Sequence, residues 1–376
     1  MKIVHVISSL ENGGAELMLK RLILSHRENI NFSHSVVSLT TLGPIGSDLI
    51  RLGVDVNVLD MRNIFDFHKV FFSLIKFIRC GDFDIVQTWM YHADFFGGVA
   101  AFLAGNRNII WGVRTTKLNK FSSSFFLRFI CIFLSYFIPK VIVCAANSAL
   151  KFHASLGYNK ARLTFVPNGF DLSRFVFKVT DRNRIRSTFH FQDDDIVILS
   201  LGRFTYEKDH ANFISAAGIV SSKYKNVKFL LVGRGVNESN QSLTSLISQT
   251  GFHQNFFLVG ESDNVPAIFA AVDIFCLHSR TEAFPNVLGE AMAMGLPCIS
   301  TAVGDAELIL GDCGSVVPKM NSSALALSIM NFIELPYHKK LNLGECSKAR
   351  VSNLFSMNST KQCFEKIYKN IVLQDS

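Results

Sequence analysis

Short apolar runs alternate with longer amphipathic stretches along most of the chain. This alternation is typical of βαβ units, in which parallel strands are joined by helices that cover the sheet. We therefore predict two successive parallel sheets. Strands of the first are expected at 2–8, 34–39, 54–58, 84–88, 109–113, 140–144 and 163–166, and those of the second at 196–201, 227–232, 256–259, 272–277, 297–300 and 315–317.

The alternation is interrupted by the turn-forming cluster Pro167-Asn168-Gly169 and a polar stretch that runs to Asp195. A chain of 376 residues is long enough for two domains of about 100–200 residues each. We place the boundary at 175/176, which predicts domains at 1–175 and 176–356 and a final amphipathic helix at 359–372. The expected fold is α/β, with two Rossmann-like doubly wound sheets whose ligand sites lie at the carboxyl ends of the strands and face a central cleft.

Composition narrows the class of protein. The chain is 49% hydrophobic and 18% charged, which excludes disorder, and its net charge is +8. A basic protein binds nucleic acid, anionic lipid or phosphorylated ligands. No zinc-finger spacing, RNP-like stretch or long basic run is present, so we expect no nucleic-acid partner. The eight cysteines are scattered without metal-ligand spacing and are expected to be buried thiols in a reducing compartment.

One apolar segment, 125–138, has two open interpretations. It is shorter than the roughly 20 residues that a membrane-spanning helix needs. Lys117, Lys120, Arg128 and Lys140 flank or interrupt it, which suits a helix lying on an anionic membrane surface. An ordinary helix covered by protein is the alternative. The 35 phenylalanines allow the same two interpretations, a face left for lipid or Phe replacing Leu in the cores. The amino terminus has too short an apolar run for a signal peptide.

Three features of the first domain follow predicted strands. Gly13 and Gly14 precede a helix, where exposed N–H groups attract anions, although paired glycines also form ordinary turns. His92 follows the strand at 84–88, precedes an Ala/Gly-rich helix expected at 95–104, and is a candidate site residue, with a structural histidine as the alternative. Arg114 follows the strand at 109–113 and is our candidate for binding a lipid-linked diphosphate acceptor.

The second domain offers a cationic pair. Gly202 and Arg203 follow the strand at 196–201, and Lys208 comes five positions after Arg203. Arginine binds phosphate as a fork and lysine as a point charge, so the pair is suited to a diphosphate. Two solvated cations at a helix start are the alternative, which the helix dipole disfavours.

A carboxylate pair follows the strand at 272–277. Glu282 lies in a loop, Pro285 is expected to open a helix that closes at Gly295, and Glu290 lies just over a turn inside that helix. Glu290 suits the vicinal hydroxyls of a ribose and Glu282 the hydroxyls of a sugar. The alternatives are a surface salt bridge for Glu290 and helix-dipole pairing for Glu282. The donor-side candidates between the two carboxylates are Phe284, Pro285, Asn286 and Val287.

Taken together, these motifs resemble those of glycosyltransferase family 4, retaining enzymes of the GT-B fold. The resemblance rests on Gly-Gly-Ala-Glu, Pro-Asn-Gly, Gly-Arg-x4-Lys and Glu-x7-Glu, in that order. It implies that Arg203 and Lys208 hold the donor diphosphate and that Glu290 holds the ribose. It places Glu282 against the donor sugar, Gly14 beside the phosphates and His92 near the sugar. It also implies that the last helix, 357–376, packs back on the first domain.

The resemblance implies transfer of a sugar from a nucleotide-diphosphate sugar, expected to be a UDP-sugar, to a glycan hydroxyl with retention. The acceptor is expected to be lipid-linked, in the building of bacterial surface polysaccharide, at the cytoplasmic face of a membrane. No cofactor or metal is expected, because cations would stabilise the leaving diphosphate, and Asp193-Asp194-Asp195 is interpreted as a solvated turn.

The sequence departs from many relatives at one point. Ala283-Phe284-Pro285 replaces Gly-Phe-Gly, and Pro285 has no N–H to donate to a ligand. Two other functions stay open, a nucleotide-sugar 2-epimerase of the same fold and a non-catalytic nucleotide-binding subunit.

Overall fold

The computed structural model describes residues 1–62, 66–114 and 123–373, and within these ranges the chain forms thirteen strands and fifteen α-helices. Lys117 and Lys120 lie outside the described residues. The strands are β1 Lys2–Ile7, β2 Ser33–Ser38, β3 Asp55–Val58, β4 Ile85–Trp89, β5 Ile109–Val113, β6 Val141–Cys144, β7 Leu163–Phe165, β8 Ile196–Leu201, β9 Val227–Val232, β10 Phe256–Gly260, β11 Ile274–Leu277, β12 Cys298–Thr301 and β13 Gly314–Val317.

The helices cover both faces of the sheets. They are α1 Gly14–Ser25, α2 Gly43–Arg51, α3 Phe67–Gly81, α4 Met90–Leu103, α5 Ser123–Leu134, α6 Asn147–Ser155, α7 Val179–Thr188, α8 His210–Ser221, α9 Gln241–Ser248, α10 Val265–Ala271, α11 Asn286–Ala293, α12 Ala306–Leu310, α13 Ser322–Glu334, α14 Tyr337–Leu354 and α15 Met357–Leu373.

Every predicted strand is present, and all pairs are parallel. The first sheet has the order β3-β2-β1-β4-β5-β6-β7 and the second β10-β9-β8-β11-β12-β13. In each sheet the order reverses between two central strands, β1 and β4 in the first and β8 and β11 in the second. Ile3 pairs with Ile85 in the former and Ile274 with Ile198 in the latter. Ligands of doubly wound sheets bind where the strand order reverses, beyond the carboxyl ends of the strands.

The described chain forms two compact units. The first consists of residues 1–169 together with α15, and the second of Phe170–Ser356. Helix α15 is amphipathic, and its buried side chains Phe364, Tyr368 and Ile371 join the core formed by β1, β4 and α1. The Thr360 hydroxyl donates to the Pro167 carbonyl at 3.0 Å. The end of the chain therefore completes the core of the first unit.

A cluster of histidine side chains, His5, His26 and His34, lies near β1, β2 and α15. The Trp89 indole donates to His5 Nδ1 at 3.2 Å, and His5 Nε2 lies 2.9 Å from His34 Nδ1. Because Nδ1 of His5 accepts from Trp89, this network assigns the proton of His5 to Nε2. Burial lowers the pKa of His34 to about 3 and that of His5 well below its usual value. Both rings are therefore neutral in the folded protein.

We expect the protein to lose stability in acid. His5 and His34 have folded pKa values below the unfolded value of about 6.5. The unfolded chain thus binds more protons below that pH, and the free energy of unfolding falls by up to about 1.4 kcal/mol per pH unit for each such histidine. Groups that face the cluster are His26, Glu365, Lys361 and the amino terminus.

Thermal unfolding between pH 7.5 and 5 measures this effect. The exposed His68 provides the control, since His68→Gln should leave the pH dependence unchanged. A melting temperature that stays constant between pH 6.5 and 5 contradicts the expectation.

The cysteine expectation is wrong for four of the eight residues. Cys313 and Cys346 form a disulfide between the turn before β13 and helix α14, and Cys80 and Cys363 are exposed. Only tertiary packing brings Cys313 and Cys346 together, because 33 residues separate them along the chain. The other four, Cys131, Cys144, Cys276 and Cys298, are buried thiols as expected.

Candidate functional site

The strongest constellation lies at the reversal point of the second sheet. Arg203 and Lys208 follow β8, and Glu282 follows the neighbouring strand β11. Parallel neighbours end at the same edge, so the two loops lie side by side. Lys208 Nζ lies 2.6 Å from Glu282 Oε1, while Arg203 is exposed. The structure thus brings two sequence-predicted residues into direct contact.

Glu282 is held in one orientation. Its Oε1 atom accepts hydrogen bonds from Lys208 Nζ at 2.6 Å and from Ser279 Oγ at 2.7 Å. Its side chain is 16% exposed. Gly304 fits beneath this loop at φ +51, where a Cβ would lie 2.6 Å from the Glu282 carbonyl oxygen. The carboxylate is therefore preorganised at a partly enclosed position rather than free on a solvated loop.

A second ion pair joins the same two loops. Arg280 donates to Asp209 Oδ1 at 2.7 Å and stacks on Tyr206, with the guanidinium carbon 4.4 Å from the ring centroid. The backbone N–H of Arg280 donates to the Glu207 carbonyl at 2.8 Å. Asp209 has a left-handed backbone (φ 53, ψ 50), which is strained for a residue other than glycine. Arg280 therefore stabilises the turn that presents Lys208.

Arg280→Met should lower the free energy of unfolding by about 2–3 kcal/mol, because the Asp209 carboxylate, 1% exposed, loses its cation. Adding Asp209→Gly should recover most of that loss, since glycine adopts the left-handed backbone without strain and brings no charge. Urea denaturation measures both variants. A double variant no more stable than Arg280→Met contradicts the role given to this pair.

Helix α11 supplies backbone donors beside Glu282. It begins at Asn286, with Pro285 as its N-cap residue rather than its first helical residue, and no acidic side chain lies in its first turn. Asn286 and Val287 are therefore at the positive end of the helix dipole, where anions are favoured. Glu290 follows one turn later and is partly exposed.

The predicted donor residue Phe284 lies in the core instead. It is 7% exposed and stacks on Phe170, with centroids 6.1 Å apart. Gly289 makes this packing possible, because a Cβ there would lie 2.2 Å from Phe170 Cζ. The Phe284 side chain therefore anchors the Glu282 loop and does not face solvent.

In the first unit, Gly13 is the N-cap residue of α1 and Gly14 is the first residue of the helix, so the paired glycines lie at the helix start. The Glu16 carboxylate folds back over them, so that a Cβ on Gly13 would lie 2.2 Å from Glu16 Oε2. The backbone N–H groups of Glu16 and Ala15 lie close enough to this carboxylate to lower its pKa. Burial raises the pKa of Glu16, while Arg114 opposes that rise. The Glu16 carboxylate, a group of the chain itself, thus occupies the N-terminus of α1.

Arg114 lies between two of the quoted motifs. It donates to Asn168 Oδ1 of the Pro-Asn-Gly turn at 2.5 Å, and its guanidinium carbon is 4.6 Å from the centroid of the Trp89 ring. Burial lowers the pKa of Arg114 to about 9, and the Glu16 carboxylate acts in the opposite direction. Arg114 follows β5, and it interacts with Trp89 at the end of β4 and with Glu16 in the helix after β1. Residues that follow or end three neighbouring strands therefore meet at the Arg114 guanidinium.

His92 lies in the first turn of α4, which begins at Met90 instead of the expected position near Phe95. Burial lowers its pKa, so the imidazole is neutral near pH 7. Two residues on, Asp94 is fully buried and accepts from the Thr88 hydroxyl at 2.6 Å. Burial raises the pKa of Asp94 to about 8. This protonated carboxyl fixes the start of α4, and nothing in the sequence pattern pointed to it.

Within the described ranges, no group of three His, Cys, Asp or Glu side chains is arranged to hold a metal ion. The Asp193-Asp194-Asp195 stretch forms the turn that enters β8, at the opposite end of the strand from Arg203. Asp195 accepts from the Gln192 N–H at 2.8 Å, which agrees with its interpretation as a turn.

Two family models match the chain. Glycosyltransferase Family 4 matches residues 12–174 and Glycosyl transferases group 1 matches residues 181–350. The chain belongs to these glycosyltransferases. The first match contains Glu16, His92 and Arg114, and the second contains Lys208 and Glu282.

Relatives of this glycosyltransferase carry names from polysaccharide synthesis. It is 25% identical over 303 residues, 78% of each chain, to the capsular polysaccharide biosynthesis glycosyltransferase CapM of Staphylococcus aureus. It is 24% identical over 237 residues, 61% of each chain, to the Escherichia coli UDP-Gal:alpha-D-GlcNAc-diphosphoundecaprenol alpha-1,3-galactosyltransferase.

Solved structures confirm the fold class. Anabaena HepE in complex with UDP has a TM-score of 0.87 at 19% identity, covering 98% of this glycosyltransferase and 100% of HepE. The lipopolysaccharide outer core galactosyltransferase WaaB has a TM-score of 0.75 at 13% identity, with 100% of both chains covered. The GT-B class, with two Rossmann-like parallel sheets, is thereby confirmed.

Sequence analysis missed the side chains that hold the candidate residues of each unit in place. In the first unit, Glu16 and Asn168 interact with Arg114, and both lay within quoted motifs. Asp209 and Arg280 are 71 residues apart, and only the adjacency of β8 and β11 brings them together. Ser279 adjoins the Glu282 loop, but its hydrogen bond depends on the conformation of that loop.

Proposed function

We propose that this glycosyltransferase moves a sugar from a UDP-sugar to a hydroxyl of a lipid-linked glycan, with retention at the anomeric carbon. The observation that carries the proposal is the Lys208–Glu282 pair, held 2.6 Å apart beside the N-terminus of α11. A cation, a fixed carboxylate and helix N–H groups are what a diphosphate joined to a sugar requires. In this assignment Glu282 binds the sugar and Glu290 binds the ribose.

The leaving group is the chemically demanding part of the reaction. Departure of UDP places negative charge on the diphosphate, which Arg203, Lys208 and the N–H groups of Asn286 and Val287 would stabilise. Gly202 lets the backbone pass close to Lys208, because a Cβ there would lie 3.2 Å from Lys208 Cδ. We propose that these groups make a divalent metal unnecessary.

Retention is proposed to occur by front-face displacement, in which the departing diphosphate accepts the proton of the acceptor hydroxyl. His92, neutral in the first turn of α4, would hydrogen-bond the donor sugar without competing for that proton. Gly13 and Gly14 would approach the phosphates once the Glu16 carboxylate gives up the N–H groups that it now occupies.

A bacterial surface polysaccharide is the proposed product. Support comes from relatives named for capsular polysaccharide and from one named for transfer to a diphosphoundecaprenol-linked sugar. UDP is the proposed nucleotide because crystal structures of the structural neighbour HepE are complexes with UDP and with UDP-glucose. Arg114 is the proposed contact for the acceptor's diphosphate. The protein would work peripherally at the cytoplasmic face of the membrane.

A transfer assay with EDTA present tests the proposal. The full chain is incubated with a panel of UDP- and GDP-sugars and polyprenyl-diphosphate-linked monosaccharides, and NMR identifies the anomer of the product. Transfer from a UDP-sugar with retention is expected. Conversion of the donor sugar without an acceptor would indicate an epimerase, and UDP binding without turnover would indicate a non-catalytic subunit. Either outcome overturns the proposal.

A further inference from the structure

Helix α5 is apolar on the side that faces solvent. Its inner positions Arg128, Cys131, Ser135 and Ile138, the last two just past its end, are buried. Its outer positions form what we call the aromatic ridge. This ridge consists of Phe126, Phe129, Ile130, Phe133 and Phe137, which are 45–66% exposed.

The ridge is continuous because its members recur at helical spacing. Phe133 and Phe137 are four positions apart, and their ring centroids are 5.2 Å apart. Tyr136, 49% exposed, lies at its edge and donates to the Gly157 carbonyl. A surface helix of a globular protein normally presents polar side chains to water. Contiguous exposed apolar surface of this kind marks a binding surface.

Charge is segregated around the ridge. Residues 95–170 contain nine Lys and Arg and no Asp or Glu, a formal charge of +9 against +8 for the whole chain. The remainder of the chain is thus nearly neutral. Cations also border the carboxyl end of the ridge. Arg162 donates to the Ser135 and Pro139 carbonyls, Lys140 to Asn108 Oδ1, and Lys160 is exposed in the adjoining turn.

We propose that the aromatic ridge inserts into the headgroup region of a bilayer containing anionic lipid, with α5 lying in the membrane plane. Exposed apolar side chains in a stretch that contains Lys and Arg but no Asp or Glu are suited to such an interface. Within the described ranges no helix is long and apolar enough to cross a membrane. A second copy of the chain is disfavoured, because a symmetric contact would bring two strongly basic surfaces together.

This surface extends the proposed function, since a lipid-linked acceptor is available only at a membrane. The membrane-binding proposal does not depend on the donor site. Measuring UDP binding with the same protein preparations therefore tests the proposed function separately from membrane binding. The residues of the ridge are exposed and belong to none of the groups assigned to the sugar donor. Their replacement should leave UDP affinity unchanged.

Vesicle co-sedimentation of the full chain tests the proposal. The vesicles are phosphatidylethanolamine with phosphatidylglycerol at 3:1, against phosphatidylcholine alone. The ridge variant is Phe129→Ser with Phe133→Ser. The matched control is Ile50→Ser with Phe72→Ser, two exposed apolar residues on α2 and α3. We expect the wild-type chain to bind anionic vesicles, and this binding should fall at least tenfold in 0.5 M salt. The ridge variant should also bind at least tenfold more weakly, and the control variant should bind as the wild type does.

The depth to which the aromatic ridge enters the bilayer is measured independently with Phe133→Trp. Both native tryptophans, Trp89 and Trp111, are fully buried, so the added indole reports on the ridge. Brominated lipid should quench its fluorescence. The proposal is overturned if wild type does not bind anionic vesicles, if the ridge variant binds as well as the control, or if the indole is not quenched. Concentration-dependent self-association lost in the ridge variant, without vesicle binding, would assign the surface to a second copy.

Discussion

Glu282→Gln is expected to lower the turnover number by roughly 10²–10³, the usual loss for one preorganised polar contact to a transition state. The amide keeps an oxygen that accepts from Lys208 and Ser279, the two donors to Glu282 Oε1. The loop should therefore keep its conformation. What disappears is the negative charge at the proposed sugar position, so the affinity for UDP alone should change by less than about threefold.

Glu307→Gln is the matched control for this substitution, because Glu307 is an exposed carboxylate on α12 in the same unit. It should leave turnover unchanged. Steady-state kinetics and calorimetric UDP titration separate the two effects. An active Glu282→Gln enzyme would show that this carboxylate is structural, and an equal loss of UDP affinity would place it against the nucleotide rather than the sugar.

Lys208→Met should reduce turnover to a similar extent, by about 10²–10³, because the leaving diphosphate loses a fixed positive charge. It should also destabilise the protein by about 1–3 kcal/mol, since the partly buried Glu282 carboxylate loses its cation. The double variant Lys208→Met with Glu282→Gln separates these effects. It should recover stability, while its turnover should fall below that of Glu282→Gln alone.

Lys223→Met is the control here, because Lys223 is exposed just beyond the end of α8. Urea denaturation gives the stabilities, and the transfer assay gives the rates. A double variant that is as active as Glu282→Gln alone would mean that Lys208 contributes only to folding. That result would remove it from the proposed diphosphate site.

The arrangement of strands was predictable because it follows from local pattern. Each β-strand is a short apolar run followed by a turn, and fully buried parallel strands such as β8 differ sharply from the amphipathic helices around them. The positions of Arg203, Lys208 and Glu282 followed from the rule that ligands bind beyond the carboxyl ends of strands. No tertiary information was needed for either inference.

Side-chain direction was not predictable in the same way. Phe284 was expected at the donor and faces the core, because Gly289 leaves a space that Phe170 fills. Helix α4 begins at Met90, with φ +73, five residues before the expected start at Phe95. The Cys313–Cys346 disulfide and the Arg280–Asp209 pair join distant segments. Each of these depends on packing between elements.

The central claim, a metal-independent UDP-sugar site on the second unit, is tested most directly by calorimetric titration of the full chain with UDP, with and without EDTA. We predict equal affinity in both conditions and at least tenfold weaker binding in Arg203→Met and in Glu290→Gln. Absence of UDP binding, binding that requires a divalent cation, or variants that bind as well as wild type would contradict it.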